Sequence, residues 1–230
     1  MAGLSTWYTL GTIGMLAGTL GLAYGFRLVP RSNRRRYSLL VAVPFIAVVA
    51  YALMALGYGS IETQTGDSLF IYRYIDWLLT TPLHVLYLGL LAGAATRAVY
   101  KSIGLMGATI VLGFGGAYAA SPLKWLLFGA GGLTFAGVVY YTYAEFDTAA
   151  QGSPVLSTFR KLRAFVIVLW LIYPLIWVFA PVGLGLIQIG TSALVISYLD
   201  VVAKIGFGFI ALSGQLSVQS TTTTTPTTAD

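Results

Sequence analysis

Four ionisable side chains stand inside apolar runs of this chain: Arg73 and Asp76 in RYIDWLLTTPL (73–83), and Asp200 and Lys204 in YLDVVAKIGFG (198–208). Their formal charges cancel. A full charge at membrane depth costs at least ~2.5–3.5 kcal/mol on insertion scales, so such groups face a bundle interior, pair with one another and mark functional sites. On helices, Asp200 and Lys204 at i,i+4 share one face, and Arg73 and Asp76 at i,i+3 share another. Two carboxylates can therefore flank one amine. A buried lysine sheds its proton readily, which makes it a good amine for a Schiff base with a carbonyl compound. A protonated imine there needs counterions, and Asp76 and Asp200 supply them while Arg73 keeps both carboxylates ionised against their mutual repulsion. The competing explanation is a structural ion-pair cluster that locks two helices together; a balanced set of four charges around one lysine favours the chemical one.

The neighbouring residues describe the carbonyl compound. Tyr74 and Trp77 lie beside Asp76, and WLIYPLIW (170–177) places Trp170, Tyr173 and Trp177 at spacings of three, four and seven, on one helical stripe. Any one of these rings could be ordinary packing. Taken with the lysine, the stripe suits a long, flat, conjugated ligand gripped between ring faces.

The elements that must position these groups are long and apolar. Of 230 residues, 57% are hydrophobic and 9% charged, and the apolar blocks exceed what the core of a soluble domain of this size needs, so the chain reads as an integral membrane protein. A bilayer core of ~30 Å takes ~20 residues of helix. Segments of that length fall near 4–26, 37–57, 70–92, 102–121, 123–144, 164–181 and 185–213, which predicts an all-α seven-transmembrane-helix bundle. The fourth and fifth spans are separated by the SPLK turn at 121–124. Arg27, Arg31, Arg34, Arg35, Arg36, Arg97, Lys101, Arg160, Lys161 and Arg163 fall in loops on one side, and Lys124 alone on the other. This asymmetry predicts an extracellular N-terminus and a cytoplasmic C-terminus. The net charge of +6 therefore reflects topology and contact with anionic lipid, and calls for no nucleic-acid partner.

The chain has no cysteine, which removes disulfides, thiol chemistry and Cys-based metal sites. MAGLSTWYTLG at the start carries no basic segment, so the first span reads as retained. Residues 1–219 form the expected bundle domain. The threonine-rich tail, 220–230, reads as disordered. The polar stretch GSIETQTGDS (59–68) predicts a short extracellular hairpin around its Thr-Gly-Asp.

At this level the chain resembles a microbial rhodopsin of the haloarchaeal type. RYIDWLLTTPL resembles that family's third-helix motif, WLIYPLIW its sixth-helix motif, and LDVVAKIGFG (199–208) its retinal-lysine motif. The resemblance covers nearly the whole chain. It implies all-trans retinal bound as a protonated Schiff base at Lys204, Asp76 as primary counterion and proton acceptor, Asp200 as second counterion, and Arg73 as an outward-side switch. Trp77, Thr80, Thr81, Trp170, Tyr173 and Trp177 would shape the pocket, with Ala203 beside the lysine and Tyr51 hydrogen-bonding to the counterion region. Light would isomerise the ligand, a proton would pass to Asp76, and the sixth helix, lacking one internal hydrogen bond at Pro174, could tilt outward.

A carboxylate at position 76 fits an outward proton pump or a photosensor. In the proton-pumping relatives an aspartate stands eleven residues further on, about 16 Å along the helix; here that position is Tyr87, a poor donor at neutral pH. The segment VFAPVGLGLIQIGTS (178–192), where pumps place proton-release glutamates, has no carboxylate. Both relay ends are missing, which favours a light sensor with a slow photocycle, similar to sensory rhodopsin II in RYIDWLLTTPL and SYLD (197–200). Tyr198 matches a position that contacts a transducer helix in that branch, so a transducer docked on the sixth and seventh spans is an expected partner. Ala203 stands where sensory rhodopsin II has threonine and pumps have alanine; this mixture resembles the intermediate group called middle rhodopsins. His84, the single histidine, lies roughly 80° off the Asp76 face and reads as a packed, hydrogen-bonded residue, with a proton-shuttle role as the alternative. Small residues in GLLAGAA (89–95) allow close helix packing and a homo-oligomer. The rival readings are a weak light-driven outward proton pump and, from another class, a non-photochemical seven-helix receptor or Schiff-base enzyme using Lys204.

Overall fold

The computed structural model describes residues 3–223. Helices α1 (Leu4–Gly25), α2 (Arg34–Ala55), α3 (Ile71–Ala92), α4 (Thr96–Tyr118), α5 (Leu123–Tyr143), the short α6 (Glu145–Ala150), α7 (Leu156–Phe179), α8 (Ile189–Val201) and α9 (Phe207–Thr223) follow in order. A π-helical turn over Val202–Gly206 joins α8 to α9, so the two form one continuous seventh span. Neighbours in sequence pack side by side, and α8 returns against α1 to close the bundle. Among the described residues, six helices are long and apolar enough to cross a membrane. The seventh, α1, has 22 residues but falls below the same hydropathy because glycine, threonine and tyrosine are interleaved with its leucines.

Two observed spans start earlier than the apolar runs predict. Helix α4 begins at Thr96 instead of 102, and α7 at Leu156 instead of 164. Arg97 and Lys101 lie within α4, and Arg160, Lys161 and Arg163 within α7. Hydropathy marks the lipid-buried stretch, whereas the backbone hydrogen bonds continue beyond it through residues whose long stems can reach to water. The basic residues nevertheless gather at one end of the bundle. At the other end, the predicted hairpin is present: β1 (Ser60–Glu62) pairs antiparallel with β2 (Ser68–Phe70), with Ile61 opposite Leu69. Thr63 Oγ1 accepts the backbone N–H of Asp67 and closes the turn. Helix α9 continues to Thr223; the remainder of the threonine-rich tail lies outside the described residues.

The sidedness of the packing is that of a membrane protein. Leu126, Leu133, Tyr100, Leu20 and Tyr198 are among the most exposed side chains, while Asp76, Thr80, Ser102 and Thr142 are fully enclosed. Lipid is as apolar as leucine, so helix association must come from close packing and internal polar contacts. Helix α1 supplies the first. Its Gly11, Gly14, Gly18, Gly21 and Gly25 repeat at alternating spacings of three and four, and a Cβ on them would meet Tyr51, Val201, Ile205, Phe209 and Tyr37 in turn. This stripe lets α2 and the α8–α9 span approach the backbone of α1. At the basic end Tyr87, Leu88, Phe146, Phe159, Leu162, Val166 and Phe207 form a dense apolar core. Glycine at 93, with φ of 70°, terminates α3 in the left-handed conformation that a side chain would resist.

Candidate functional site

Helices α3 and α8 bring the four charges of the sequence to the middle of the bundle. Lys204 Nζ donates to Asp76 Oδ2 at 2.8 Å and lies 3.4 Å from Asp200 Oδ1. All three groups are buried, so they depend on one another for the stabilisation that water would otherwise provide. Lys204 sits in the π-helical turn, a widening of the helix that concentrates at functional positions. Nothing in the sequence pattern signals that turn.

Asp200 is held by donors from three other helices. Tyr51 of α2 donates to Oδ2 at 2.6 Å, Tyr173 of α7 donates to Oδ1 at 2.6 Å, and Trp77 of α3 points its indole N–H at both oxygens, at 3.1 and 3.3 Å. Charge-assisted bonds of this kind favour the ionised carboxylate. Asp76 differs: its Oδ2 receives Lys204, while its buried Oδ1 has no hydrogen-bond partner. Of the two carboxylates, Asp76 therefore has acceptor capacity to spare directly beside the amine.

Arg73 stands apart from the direct contacts of Lys204. It forms no ion pair with either carboxylate; instead Nη2 donates to Tyr8 Oη at 2.9 Å, and the guanidinium lies 5.6 Å from the centre of that ring. Tyr8, fully buried between Tyr51 and Phe70, is a residue that the sequence reading did not single out. It lies on α1, which carries no motif and no charge, so no local signal could have identified it.

A cavity of about 200 Å³ opens from this cluster and runs between α3, α4, α5, α7 and α8. Trp77, Thr81, Trp170, Tyr173, Trp177 and Ala203 line it as expected, together with Arg73, Asp200 and Lys204. Trp177 stacks on Phe128 at 4.4 Å, and Trp170 meets Phe135 edge-on at 6.3 Å. Phe128, Phe135 and Met106 add walls that the motifs did not reveal, because they come from α4 and α5, where the sequence reading found no signature. Gly113, Gly131 and Gly132 leave room on that side.

Three positions differ in their manner of contact. Thr80 is fully buried but does not line the cavity; its hydroxyl donates to the Asp76 carbonyl oxygen. Tyr51 also stands outside it and acts through Asp200. His84 does line the cavity, although the angle to Asp76 suggested a position away from it. Arg73, Trp77, Thr81 and His84 line it along one stripe of α3, to the side of the Asp76 face.

Toward the basic end the polar chain is sparse. Tyr87 accepts a hydrogen bond from Gln215 Nε2 at 3.1 Å, and both are buried. Among the described residues, the carboxylates nearest that end are Glu145 and Asp147 of α6, and Asp147 is engaged by Arg160 at 2.7 Å and Arg163 at 2.6 Å. Apart from Asp76 and Asp200, the seven spans contain no Asp or Glu. Tyr198 is 67% exposed on the outer face of α8.

Comparison with known proteins gives a concordant result. The chain matches the family described as "Bacteriorhodopsin-like protein" over residues 2–218. It is 50% identical over 223 residues to Sensory rhodopsin-2 of Haloarcula vallismortis, covering 96% of this chain and 94% of that one. To Sensory rhodopsin-2 of Natronomonas pharaonis it is 41% identical, covering 96% and 92%. The crystal structure of thermophilic rhodopsin from Rubrobacter xylanophilus superposes with a TM-score of 0.89 at 31% identity, over 95% of this chain and all of that one. With seven helices around a buried lysine and its paired aspartates, the chain is a multi-pass membrane protein that belongs to the bacteriorhodopsin-like family.

Proposed function

We propose that the protein is a retinal photoreceptor of the sensory rhodopsin type, with residues 1–219 as one retinal-binding unit, all-trans retinal held covalently at Lys204, and proton transfer to Asp76 as the step that light triggers. The observation that carries this reading is the Lys204 amine in the wall of an aromatic cavity, with Asp76 at 2.8 Å and Asp200 at 3.4 Å. The residues present fit the ligand. A conjugated chain needs flat walls, which Trp170, Trp177 and Phe128 provide; it needs a nucleophilic amine, which Lys204 provides; and it needs space beyond the amine, which the glycines of α4 and α5 leave. Retinal would supply light absorption and bond isomerisation.

The residues of the chain do the rest. Asp200, fixed by Tyr51, Tyr173 and Trp77, remains a stationary counterion. Asp76, with its unpartnered Oδ1, accepts the proton from the Lys204 nitrogen. Once that proton moves, the pair that ties α3 to the seventh span is neutralised. Pro174 of α7 lacks the N–H that would bond to the Trp170 carbonyl, so α7 can bend where it faces the cavity. Tyr87 in place of a carboxylate slows the return of the proton, which prolongs the deprotonated state and suits signalling over pumping.

The asymmetric basic loops support a cytoplasmic C-terminus. The exposed Tyr198 on α8 suits a transducer helix lying against α7 and α8 in the bilayer. No enzymatic turnover is part of this reading.

The test is direct. Apoprotein mixed with all-trans retinal should become coloured, and Lys204→Ala should remain colourless. Illuminated vesicles should give at most weak external acidification. A robust, protonophore-sensitive pH drop would replace the sensor with the rival pump, which Ala203 beside the lysine would favour.

A further inference from the structure

His84 is a strongly polar side chain of the cavity wall to which this reading assigns no task. It is 3% exposed. Its Nδ1 lies 3.0 Å from the backbone carbonyl oxygen of Thr80. A carbonyl only accepts, so Nδ1 carries the hydrogen and Nε2, on the far edge of the ring, holds a bare lone pair. That Nε2 is buried and has no hydrogen-bond partner. An unsatisfied buried acceptor costs about 1–3 kcal/mol, so its retention calls for a use.

The surroundings identify its donor. The ring is fixed edge-on by Phe207 at 4.6 Å and by Trp170 at 6.0 Å, so Nε2 cannot turn to seek another partner. Two spaces adjoin the ring: the main cavity, and a narrow seam toward the basic end bounded by Leu39, Leu40, Val43, Leu83, Tyr87 and Phe207. His84 and Lys204 are the two residues that border both. The seam has no room for a water molecule, so water cannot satisfy Nε2 from that side. Along α3, Asp76 lies nearer the hairpin end and His84 nearer the basic end, with Thr80 between them and bonded to each through its hydroxyl and carbonyl oxygens.

We infer that His84 Nε2 is the acceptor that receives the Lys204 N–H when it turns away from Asp76. In the dark the N–H is held by Asp76; directly after illumination, before the proton passes to Asp76, His84 would hold the N–H on the opposite side, and this would leave the nitrogen turned toward Tyr87 and Gln215 for the return of the proton. No bond to hydrogen is broken in this step: one hydrogen bond replaces another. His84 is thus a positioning residue for the proton's path. The inference rests on the proposed retinal linkage at Lys204.

Because the chain contains one histidine, ¹⁵N-histidine labelling reports on this ring alone. Retinal-free protein should show a protonated Nδ1 and a bare Nε2, and a hydrogen on Nε2 in that sample would overturn the inference without touching the retinal reading. In coloured protein, light-trapped spectra should show Nε2 newly hydrogen-bonded; an Nε2 signal identical in dark and light would overturn it. His84→Phe should shorten the lifetime of the first isomerised state about tenfold, the scale expected for loss of a hydrogen bond to a charged donor. His84→Gln, which restores an acceptor near the Nε2 position, should recover most of that lifetime. If Phe and Gln variants behave alike, or both match the wild type, the assignment is wrong. Failure of the wild type to colour with retinal would remove the linkage and this inference together.

Discussion

Replacing Tyr51 by Phe tests how the stationary counterion is held. The substitution removes one oxygen from a fully buried ring and leaves its packing against Tyr8 and Met54 intact. The two oxygens of Asp200 are not equally served. Oδ1 receives Tyr173 at 2.6 Å, Trp77 at 3.1 Å and the Lys204 amine at 3.4 Å, whereas Oδ2 has Tyr51 at 2.6 Å and the longer Trp77 contact at 3.3 Å. Interhelical hydrogen bonds in membranes average about 0.6 kcal/mol and reach about 1.7, and a charged acceptor favours the upper end. Tyr51→Phe should therefore cost about 1.5–2 kcal/mol, and Tyr173→Phe about 1 kcal/mol, because Oδ1 keeps two further partners. The double variant should exceed the sum of the singles by at least about 0.5 kcal/mol, since both tyrosines act on one carboxylate. Equilibrium unfolding in mixed micelles, followed by helical circular dichroism in retinal-free protein, measures all four states of the cycle. If Tyr173→Phe costs as much as Tyr51→Phe, or the two add without coupling, the unequal sharing of donors on Asp200 is not what stabilises it.

Four further expectations follow from the same geometry. Asp76→Asn removes one partner of a buried ion pair and should destabilise the retinal-free protein by about 3–5 kcal/mol, measured by unfolding, and should abolish the light-induced deprotonation of the retinal-loaded protein, measured by flash absorption. Gly11→Ala places a methyl group against the ring of Tyr51; overpacking should cost about 1–3 kcal/mol, and an added Tyr51→Phe should then cost less than it does alone, as a double-mutant cycle will show. Tyr87→Asp supplies the missing carboxylate toward the basic end and should speed recovery of the dark state at least about tenfold by flash photolysis; an unchanged rate would argue against a donor-limited cycle. Asp147→Asn breaks both ion pairs between α6 and α7; unfolding at low and high salt should show a loss whose Arg160 share, from the half-exposed pair, shrinks as salt is raised, while the share of the enclosed Arg163 pair persists.

The seven-span count was legible because lipid imposes a simple length rule on apolar helices, and it survived even where α1, diluted by glycine and threonine, falls below the hydropathy of the other six. Helix ends were less legible. Arg97 and Arg160 look like loop residues when judged by polarity, yet they sit in the first two turns of α4 and α7, since a helix needs only its own backbone to continue into water. Arg73 shows a different limit. Its charge and spacing placed it on the carboxylate helix, but the hydroxyl it bonds, that of Tyr8, is 65 residues away on a helix without motifs.

By itself the sequence pointed to the chemistry: Arg73, Lys204, Asp76 and Asp200 at helical spacing in lipid-depth segments are tolerated as a paired, neutral set, and the aromatic stripe at 170–177 suits something flat to grip. Only the tertiary structure decided how those groups divide the work. Which carboxylate is saturated and which has an oxygen to spare, that a π-helical turn carries the lysine, and that His84 borders the same two spaces as Lys204 all depend on side chains from separate helices. Helical periodicity fixes the face a residue occupies on its own helix, but the partner across the gap is set by how close the glycine stripe of α1 and the packed aromatics let the other helices come.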